Sequence, residues 1–316
     1  MKRPAFLQVA ALAVFVAALA YLVWLGYGAL PLLFPPPTPT PAPVFSGAQA
    51  LAMAQRQCDF GARPTGSPAG KQTGDWIIAQ LKDRGWEVQT HEFDWNGVPV
   101  RNIVAKAGSG PILMVGAHYD TRPLADNDPD PSARAQPIVG ANDGASGVAV
   151  LLELARVLNR GSLRNEVWLA FFDAEDMGRL PGWDWGEGAR QFAQSLTTLP
   201  QQMILLDMIG DTNQRFPFEG NSNPQLRAQI WQLAAQLGLG DVFVPVQGQA
   251  IIDDHIAFIE RGVPAVDIID FDYPYWHTTA DTCDKLSPAS LERVGRVVKA
   301  WLEGAPPTLP ATTTAK

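Results

Sequence analysis

Imidazole and carboxylate side chains recur at the ends of short apolar runs in this chain. The run 112–117 delivers His118-Tyr119-Asp120, and the run 167–172 delivers Asp173-Ala174-Glu175-Asp176. The run 203–206 delivers Asp207, and the stretch after Val263 leads through Asp267, Asp270 and Asp272 to Trp276-His277. A further segment, Gly140-Ala141-Asn142-Asp143-Gly144-Ala145-Ser146-Gly147, has glycines that suit a tight loop in which Asp143 turns inward. Neutral imidazole and carboxylate oxygen are good zinc ligands and need no thiolate beside them. His118, Asp143, Asp176, Asp207 and His277 therefore form a candidate metal set, and Glu175 is a candidate general base. Singly, each has an ordinary reading, since an aspartate after a strand is commonly an N-cap. Their joint placement is what points to metal chemistry.

Positioning such a set requires elements that end together. The apolar runs 112–117, 167–172, 203–206 and 263–269 read as strands buried on both faces. Helical spacing separates them over 145–158, 188–196, 224–237 and 288–302. Earlier, Trp76, Ile77 and Leu81 mark a helix over 68–84 that stops at Gly85, and 86–95 with 100–106 reads as a hairpin. This alternation predicts an α/β three-layer sandwich around a mostly parallel central sheet with an antiparallel edge. Open α/β sheets bind ligands outside the carboxyl ends of their strands, where these side chains gather.

Composition narrows the partners. The 316 residues are 47% hydrophobic and 18% charged, as expected of a globular chain, and carry a net charge of −8. That charge speaks against nucleic acid, whose phosphates need a Lys/Arg excess. Lys2 and Arg3 are the only charges before residue 44, so the rest holds 32 acidic and 22 basic side chains, a net of −10. Residues 5–34 contain no charge, long enough to span a bilayer, with Lys2 and Arg3 on the cytoplasmic side. Residues 1–34 thus read as a cytoplasmic stub and transmembrane anchor rather than a cleaved signal, whose apolar core is shorter. A Pro/Thr-rich linker follows at 35–45, then a catalytic domain over 46–303 and a loose tail at 304–316. Two cysteines cannot build a disulfide scaffold; Cys58 and Cys283 could pair in an oxidising compartment, but their distance is open.

The wording of the segments adds a resemblance. GAHYDTRP, GANDGASGVAVLLELARVL, VWLAFFDAEDMG, ILLDMIGD and HTTADTCDKLSPASL resemble, in order, the signature segments of the zinc-dependent aminopeptidase and glutaminyl cyclase superfamily. The upstream stretch FGARPTGSPAGKQTGDWIIAQLKDRGWEVQTHEF looks like that family's N-terminal part, so the likeness covers about residues 46–303. In the aminopeptidase branch it implies two zinc ions bridged by Asp143. One adds His118 and Asp207, the other Asp176 and His277, and Glu175 deprotonates the attacking water. In the cyclase branch it implies one zinc on Asp143, Asp176 and His277. Glu175 then shuttles a proton from the α-amine of an N-terminal glutamine, and Asp207 and Asp253 orient or stabilise the reacting groups. The segment IIDDHIAFIERGVPAVDIIDFDYPYWHT resembles the cyclase branch more, with Trp276 before the last ligand. Two departures stand out: Asp267 replaces the histidine of animal cyclases, and Asp176 replaces a glutamate.

Other residues have competing readings. Trp183, Trp185 and Trp276 could wall a small pocket around the substrate side chain, or simply pack their loops. Asp253 is a candidate catalytic group or an N-cap, His255 reads as a structural hydrogen bonder, and His91 reads as a surface residue. The run Asp126-Asn127-Asp128-Pro129-Asp130 lacks the glycine and terminal glutamate of a calcium loop and reads as solvated. The expectation is a membrane-anchored, extracytoplasmic zinc enzyme. It would act on peptide or protein N-termini as a glutaminyl cyclase, with a di-zinc aminopeptidase as the alternative. A catalytically inactive binding ectodomain is a third reading, disfavoured by the intact ligand set.

Overall fold

The computed structural model describes the helix Ala5–Leu33 and residues 43–304. The expected linker falls almost entirely outside the described residues, as does the tail beyond Gly304. The chain divides into two compact units, Met1–Ala42 and Pro43–Lys316. In the first, helix α1 (Ala5–Leu33) contains Val9–Tyr27, a 19-residue stretch apolar and long enough to cross a membrane, with none of it buried.

Among its described residues the second unit contains eight strands: β1 (Glu87–Trp95), β2 (Val98–Ala107), β3 (Ile112–His118), β4 (Glu166–Phe172), β5 (Gln202–Asp207), β6 (Phe216–Phe218), β7 (Phe243–Gln247) and β8 (Ala265–Ile269). Its helices are α2 (Gly47–Asp59), α3 (Pro68–Asp83), α4 (Gly147–Val157), α5 (Glu187–Ser195), α6 (Pro224–Gln236), α7 (Asp254–Ile259) and α8 (Pro288–Glu303). The central sheet has the order β1-β2-β4-β3-β5-β8. Strands β4, β3, β5 and β8 run parallel, while β2 is antiparallel to β4 and β1 to β2. The expected sandwich is what forms, with the early hairpin as its antiparallel edge.

Local chemistry sets the element ends. Asn96 and Gly97, both with positive φ, close the β1–β2 hairpin in register Trp95↔Val98, the two-residue turn an Asn-Gly pair favours. Helix α3 starts at Ser67, whose side chain accepts from Gly70 N, with Pro68 in its first turn. Helix α6 repeats this with Asn223 and Pro224. Helix α4 begins two residues later than its periodicity suggests, because Asp143 (ψ 91°) and Gly144 (φ 102°) break the helical path over Ala141–Ser146. A Cβ at Gly144 would meet Asp120 O at 2.9 Å and the His118 ring at 3.2 Å, so only glycine passes there.

Successive strand residues alternate between two cores. Leu113, Val115 and Ala117 of β3 join α2, α3, α4, α6 and α8 on one face, while Ile112 and Met114 join α5 and α7 on the other. Being parallel, β3, β4, β5 and β8 all end on one side, which sets the direction of every ligand that follows them. Helix α2 and the small pair β6–β7 have no counterpart in the sequence expectation.

Cys58 at the end of α2 and Cys283 before α8 form a disulfide across 225 residues. The pairing that the sequence left open is therefore present. Because it closes a long loop, Cys58→Ser should lower stability by about 3–5 kcal/mol. A thermal melt should show the same loss in the unaltered protein under reductant, and no change with reductant in the variant.

Candidate metal centre

Each side chain of the metal set is delivered by a different structural device. His118 is the last residue of β3 and Asp207 the last of β5. Glu175 and Asp176 lie in the turn after β4, Asp143 in the kinked turn before α4, and His277 in the loop after β8. All are buried. Three of these deliveries involve left-handed backbone at non-glycine residues: Ala174 (φ 59°) before Glu175, Met208 (φ 44°) after Asp207, and His277 itself (φ 55°). Arg179 (φ 61°) is a fourth, leaving only Asn96 elsewhere among the described residues. Backbone in this region costs about 1–3 kcal/mol per residue, and here it collects around one cavity.

The geometry resolves into two trios that share one carboxylate. Ligand atoms of Asp143, Asp176 and His277 lie within 4.8 Å of one another, and so do those of His118, Asp143 and Asp207. Asp143 offers one oxygen to each: Oδ1 is 3.1 Å from His118 Nε2, and Oδ2 is 3.5 Å from His277 Nε2. The trios differ in how far they are satisfied. His118 Nε2 makes a hydrogen bond of 3.2 Å to Asp207 Oδ1. In the other trio, Asp143 Oδ2, both Asp176 oxygens and His277 Nε2 are buried with no partner in hydrogen-bond geometry, although His277 Nε2 is only 2.9 Å from Asp176 Oδ1. Orphaned acceptors at this spacing fit a divalent cation.

Electrostatics agree. Burial and the neighbouring Asp253 charge push the Glu175 carboxyl well above its ordinary range. Burial and Asp207 push Asp253 to about 7, and burial also raises Asp207. Burial opposes charge on His277, but the Asp176 carboxylate and Asp126 lift it to about 10. Burying so many carboxyls against one another is a cost that a bound cation would relieve.

Further residues hold these groups in place. Asp120 accepts from Thr65 Oγ1 and from the N–H groups of Glu175 (3.2 Å) and Asp176 (3.0 Å), and lies 3.5 Å from His118 Nδ1. Asp281 accepts from the N–H groups of Asn142 (2.9 Å) and Asp143 (3.1 Å) and from Tyr273 OH. Asp126 Oδ1 sits 3.1 Å from His277 Nδ1, and its other oxygen accepts from buried Arg122 at 2.8 Å. Arg122 also donates to the carbonyls of Asp176 and Gly178. The acidic run 126–130 is thus not merely solvated: Asp126 faces His277, and buried Asp128 accepts from Thr279. Its only sequence signal is general, that a ligating histidine needs a carboxylate or carbonyl on its other nitrogen.

The cavity over the trios has a volume of about 260 Å3 and is lined by Asp143, Glu175, Asp176, Asp207, Asp253 and His277. Trp185 and Trp276 form walls; the Trp276 ring lies 4.2 Å from that of His277 and the Trp185 ring 5.8 Å. Trp183 does not join them. It packs with Val100 and Ala174 against Phe93 and Trp95. The sequence reading did not include Arg179, Phe271 or the Gln249–Ile252 stretch as lining groups. Asp267 is buried on β8 beside Asp253, and burial and Asp253 raise its pKa well above the ordinary range. His255 Nε2 lies 3.3 Å from Glu219 Oε2 without hydrogen-bond geometry, and His255 forms a third buried group with Asp253 and Asp267 whose ligand atoms lie within 4.8 Å of one another. His91 is half-buried against Phe93 and Phe192 rather than on the surface.

Residues 102–302 match Peptidase family M28. The glutaminyl-peptide cyclotransferase-like protein of Mus musculus is 28% identical over 284 residues, covering 76% of this chain and 71% of that protein. Among solved structures, a glutaminyl cyclase of Bacteroides thetaiotaomicron superposes with a TM-score of 0.79 at 31% identity, covering 84% of this chain and 99% of that one. A Zn-dependent exopeptidase of Parabacteroides distasonis superposes with a TM-score of 0.78 at 31% identity, covering 84% and 100%.

Two outcomes follow from the supporting contacts. Asp126→Ala frees the far nitrogen of His277 and should weaken zinc binding about 10–100-fold, measured by competition with a chromogenic chelator. An unchanged affinity would show that His277 is held without Asp126. Glu219 accepts from the N–H groups of Asn221, Ser222 and Ile251, and despite its burial His255 and these donors hold its pKa down at about 2. A carboxyl depressed on folding stabilises above its ordinary range, and that stability is lost as pH falls toward 2. Glu219→Gln should therefore lower the melting temperature by several degrees at pH 7 and by much less at pH 3.

Proposed function

The chain belongs to peptidase family M28, and from that premise we propose that it is a glutaminyl-peptide cyclotransferase-like zinc enzyme, converting the N-terminal glutamine of peptides to pyroglutamate with release of ammonia. One observation carries the preference for this chemistry over di-zinc peptide hydrolysis. The buried ligand atoms Asp143 Oδ2, Asp176 Oδ1 and Oδ2 and His277 Nε2 are unpartnered, whereas His118 Nε2 meets Asp207 Oδ1 in hydrogen-bond geometry. That pattern suits a single cation in the first trio. The shared Asp143, with one oxygen toward each trio, is what favours the aminopeptidase as the second reading.

Asp143, Asp176 and His277 would hold the zinc, which when bound supplies Lewis-acid polarisation of the γ-amide carbonyl. The cavity is sized for one glutamine side chain, with Trp185 and Trp276 excluding water from its walls. Folding the side chain back brings the α-amine near the γ-carbon, and this proximity replaces an external nucleophile. As the new C–N bond forms, Glu175 takes a proton from the α-amine. It returns that proton to the amide nitrogen as the γ-carbon–nitrogen bond breaks and ammonia leaves. Asp253 and Asp207, both at the cavity wall, would orient the amine and the departing nitrogen. Asp120 and Arg122 hold the turn that carries Glu175 and Asp176.

For location, we take α1 as a membrane anchor at 1–34 and residues 46–303 as the catalytic domain. The disulfide supports an oxidising compartment, and so a catalytic domain outside the cytoplasm.

The decisive comparison is a Gln-initiated peptide against a Leu-initiated peptide amide, read by mass spectrometry. The expected result is loss of one ammonia's mass from the first with no cleavage; release of free leucine without cyclisation would overturn the reading. Glu175→Gln should keep zinc yet lose about 10²–10⁴-fold in kcat.

A further inference from the structure

The metal cavity is not closed on the side of β8. A second cavity of about 160 Å3 adjoins it and shares Gln249, Ile251, Ile269 and Phe271 as a common shelf. Beyond the shelf its walls are Pro217 on β6 and Val246 on β7. This is also where the folded unit leaves apolar side chains in water. Among the described residues from 43 onward, Val44, Val246 (46% exposed) and Ile252 (59% exposed) are the large hydrophobics left open; Val246 lines the second cavity and Ile252 the metal cavity, on either side of the shelf. Exposed apolar residues along a groove continuous with a polar pocket mark a surface covered on binding.

Charge decides what covers it. Arg215 and Asp272 on its rim carry opposite signs and offset each other. Glu219 lines it too, but its oxygens are spent on the N–H groups of Asn221, Ser222 and Ile251 and on Ser222 Oγ. With the Glu219 oxygens occupied, the rest of the lining is uncharged and mainly apolar: Pro217, Val246, Ile251, Ile269 and Phe271, with Gln247 and Gln249 beside them.

We propose that this second cavity is a subsite for the side chain of the residue that follows the N-terminal one, selecting an apolar side chain of leucine or isoleucine size. The inference rests on the reading of the metal cavity as the seat of the N-terminal residue. A peptide so seated continues over the Ile251–Phe271 shelf, and its second side chain displaces water from Val246 and Pro217. Transfer of a partly buried leucine side chain from water is sufficient for a selectivity of about tenfold.

The test uses the full-length zinc-loaded protein with Gln-Gly-amide, Gln-Leu-amide and Gln-Glu-amide, and in parallel Leu-Gly-amide and Leu-Leu-amide. In the unaltered protein, kcat/KM for Gln-Leu-amide should exceed that for Gln-Gly-amide about tenfold, with Gln-Glu-amide no better than Gln-Gly-amide. Val246→Trp fills the cavity and should bring the Leu/Gly ratio to near one. Val246→Lys should instead raise Gln-Glu-amide above Gln-Leu-amide; both changes are at an exposed position that packing does not depend on. Cyclisation with a flat Leu/Gly ratio, or a ratio that neither variant moves, would overturn the subsite and leave the proposed function standing. No cyclisation, but cleavage of Leu-Leu-amide over Leu-Gly-amide with the same response to Val246→Trp, would overturn the function and keep the subsite. Turnover of none of the five would overturn both.

Discussion

Buried negative charge is the constraint around which this fold is arranged. Asp120, Asp143, Glu175, Asp176, Asp207, Asp253, Asp254 and Asp267 are all buried around the carboxyl ends of the parallel strands. Placing so many carboxylates out of water is tolerable only where backbone N–H groups, buried guanidinium groups or a cation face them. The chain supplies the first two with care. Asp120 and Asp281 each cross-link the backbone of a ligand turn, and buried Arg63 donates to the carbonyls of Tyr119, Val139 and Gly140 that frame the Asp143 loop. Among the atoms they leave uncovered are the oxygens of Asp143 and Asp176 and the His277 nitrogen, which lie close enough together to face one cation. The left-handed backbone at Ala174, Met208 and His277 follows from the same need, because side chains from four strands and two loops must converge on one point.

Much of this was legible in the sequence because the relevant signals are local. An apolar run ending in His118 or Asp207 announces both a buried strand and the group at its end. The glycines around Asp143 announce a turn that an ordinary residue could not make. Legibility fails where a side chain's role depends on a partner distant in sequence. Asp126 sits among prolines and aspartates that look like any solvated loop, and only the folded chain brings it to His277. Trp183 and Trp185 are indistinguishable by composition, yet one packs under the hairpin and the other walls the cavity. Helix α2 escaped notice because its buried face is built of Ala50, Met53, Ala54 and Gln57, too weakly apolar to mark a period.

Architecture alone does not select the chemistry. A glutaminyl cyclase and a Zn-dependent exopeptidase superpose on this chain almost equally well, with TM-scores of 0.79 and 0.78. The ligands for either metal count are retained, so the distinction lies in the side chains of the site rather than in strands and helices.

The Cys58–Cys283 bond has a consequence for how the protein wears. Helix α2 and the turn before α8 bracket nearly all of the folded unit, so the bond turns it into a covalent ring. A protease that nicks any surface loop between them opens the ring but releases no fragment. The pieces stay tethered with β3, β4, β5 and β8 still paired, and every ligand from His118 to His277 stays within that one ring. Wherever peptidases are abundant, this joins durability to the closure that holds the fold.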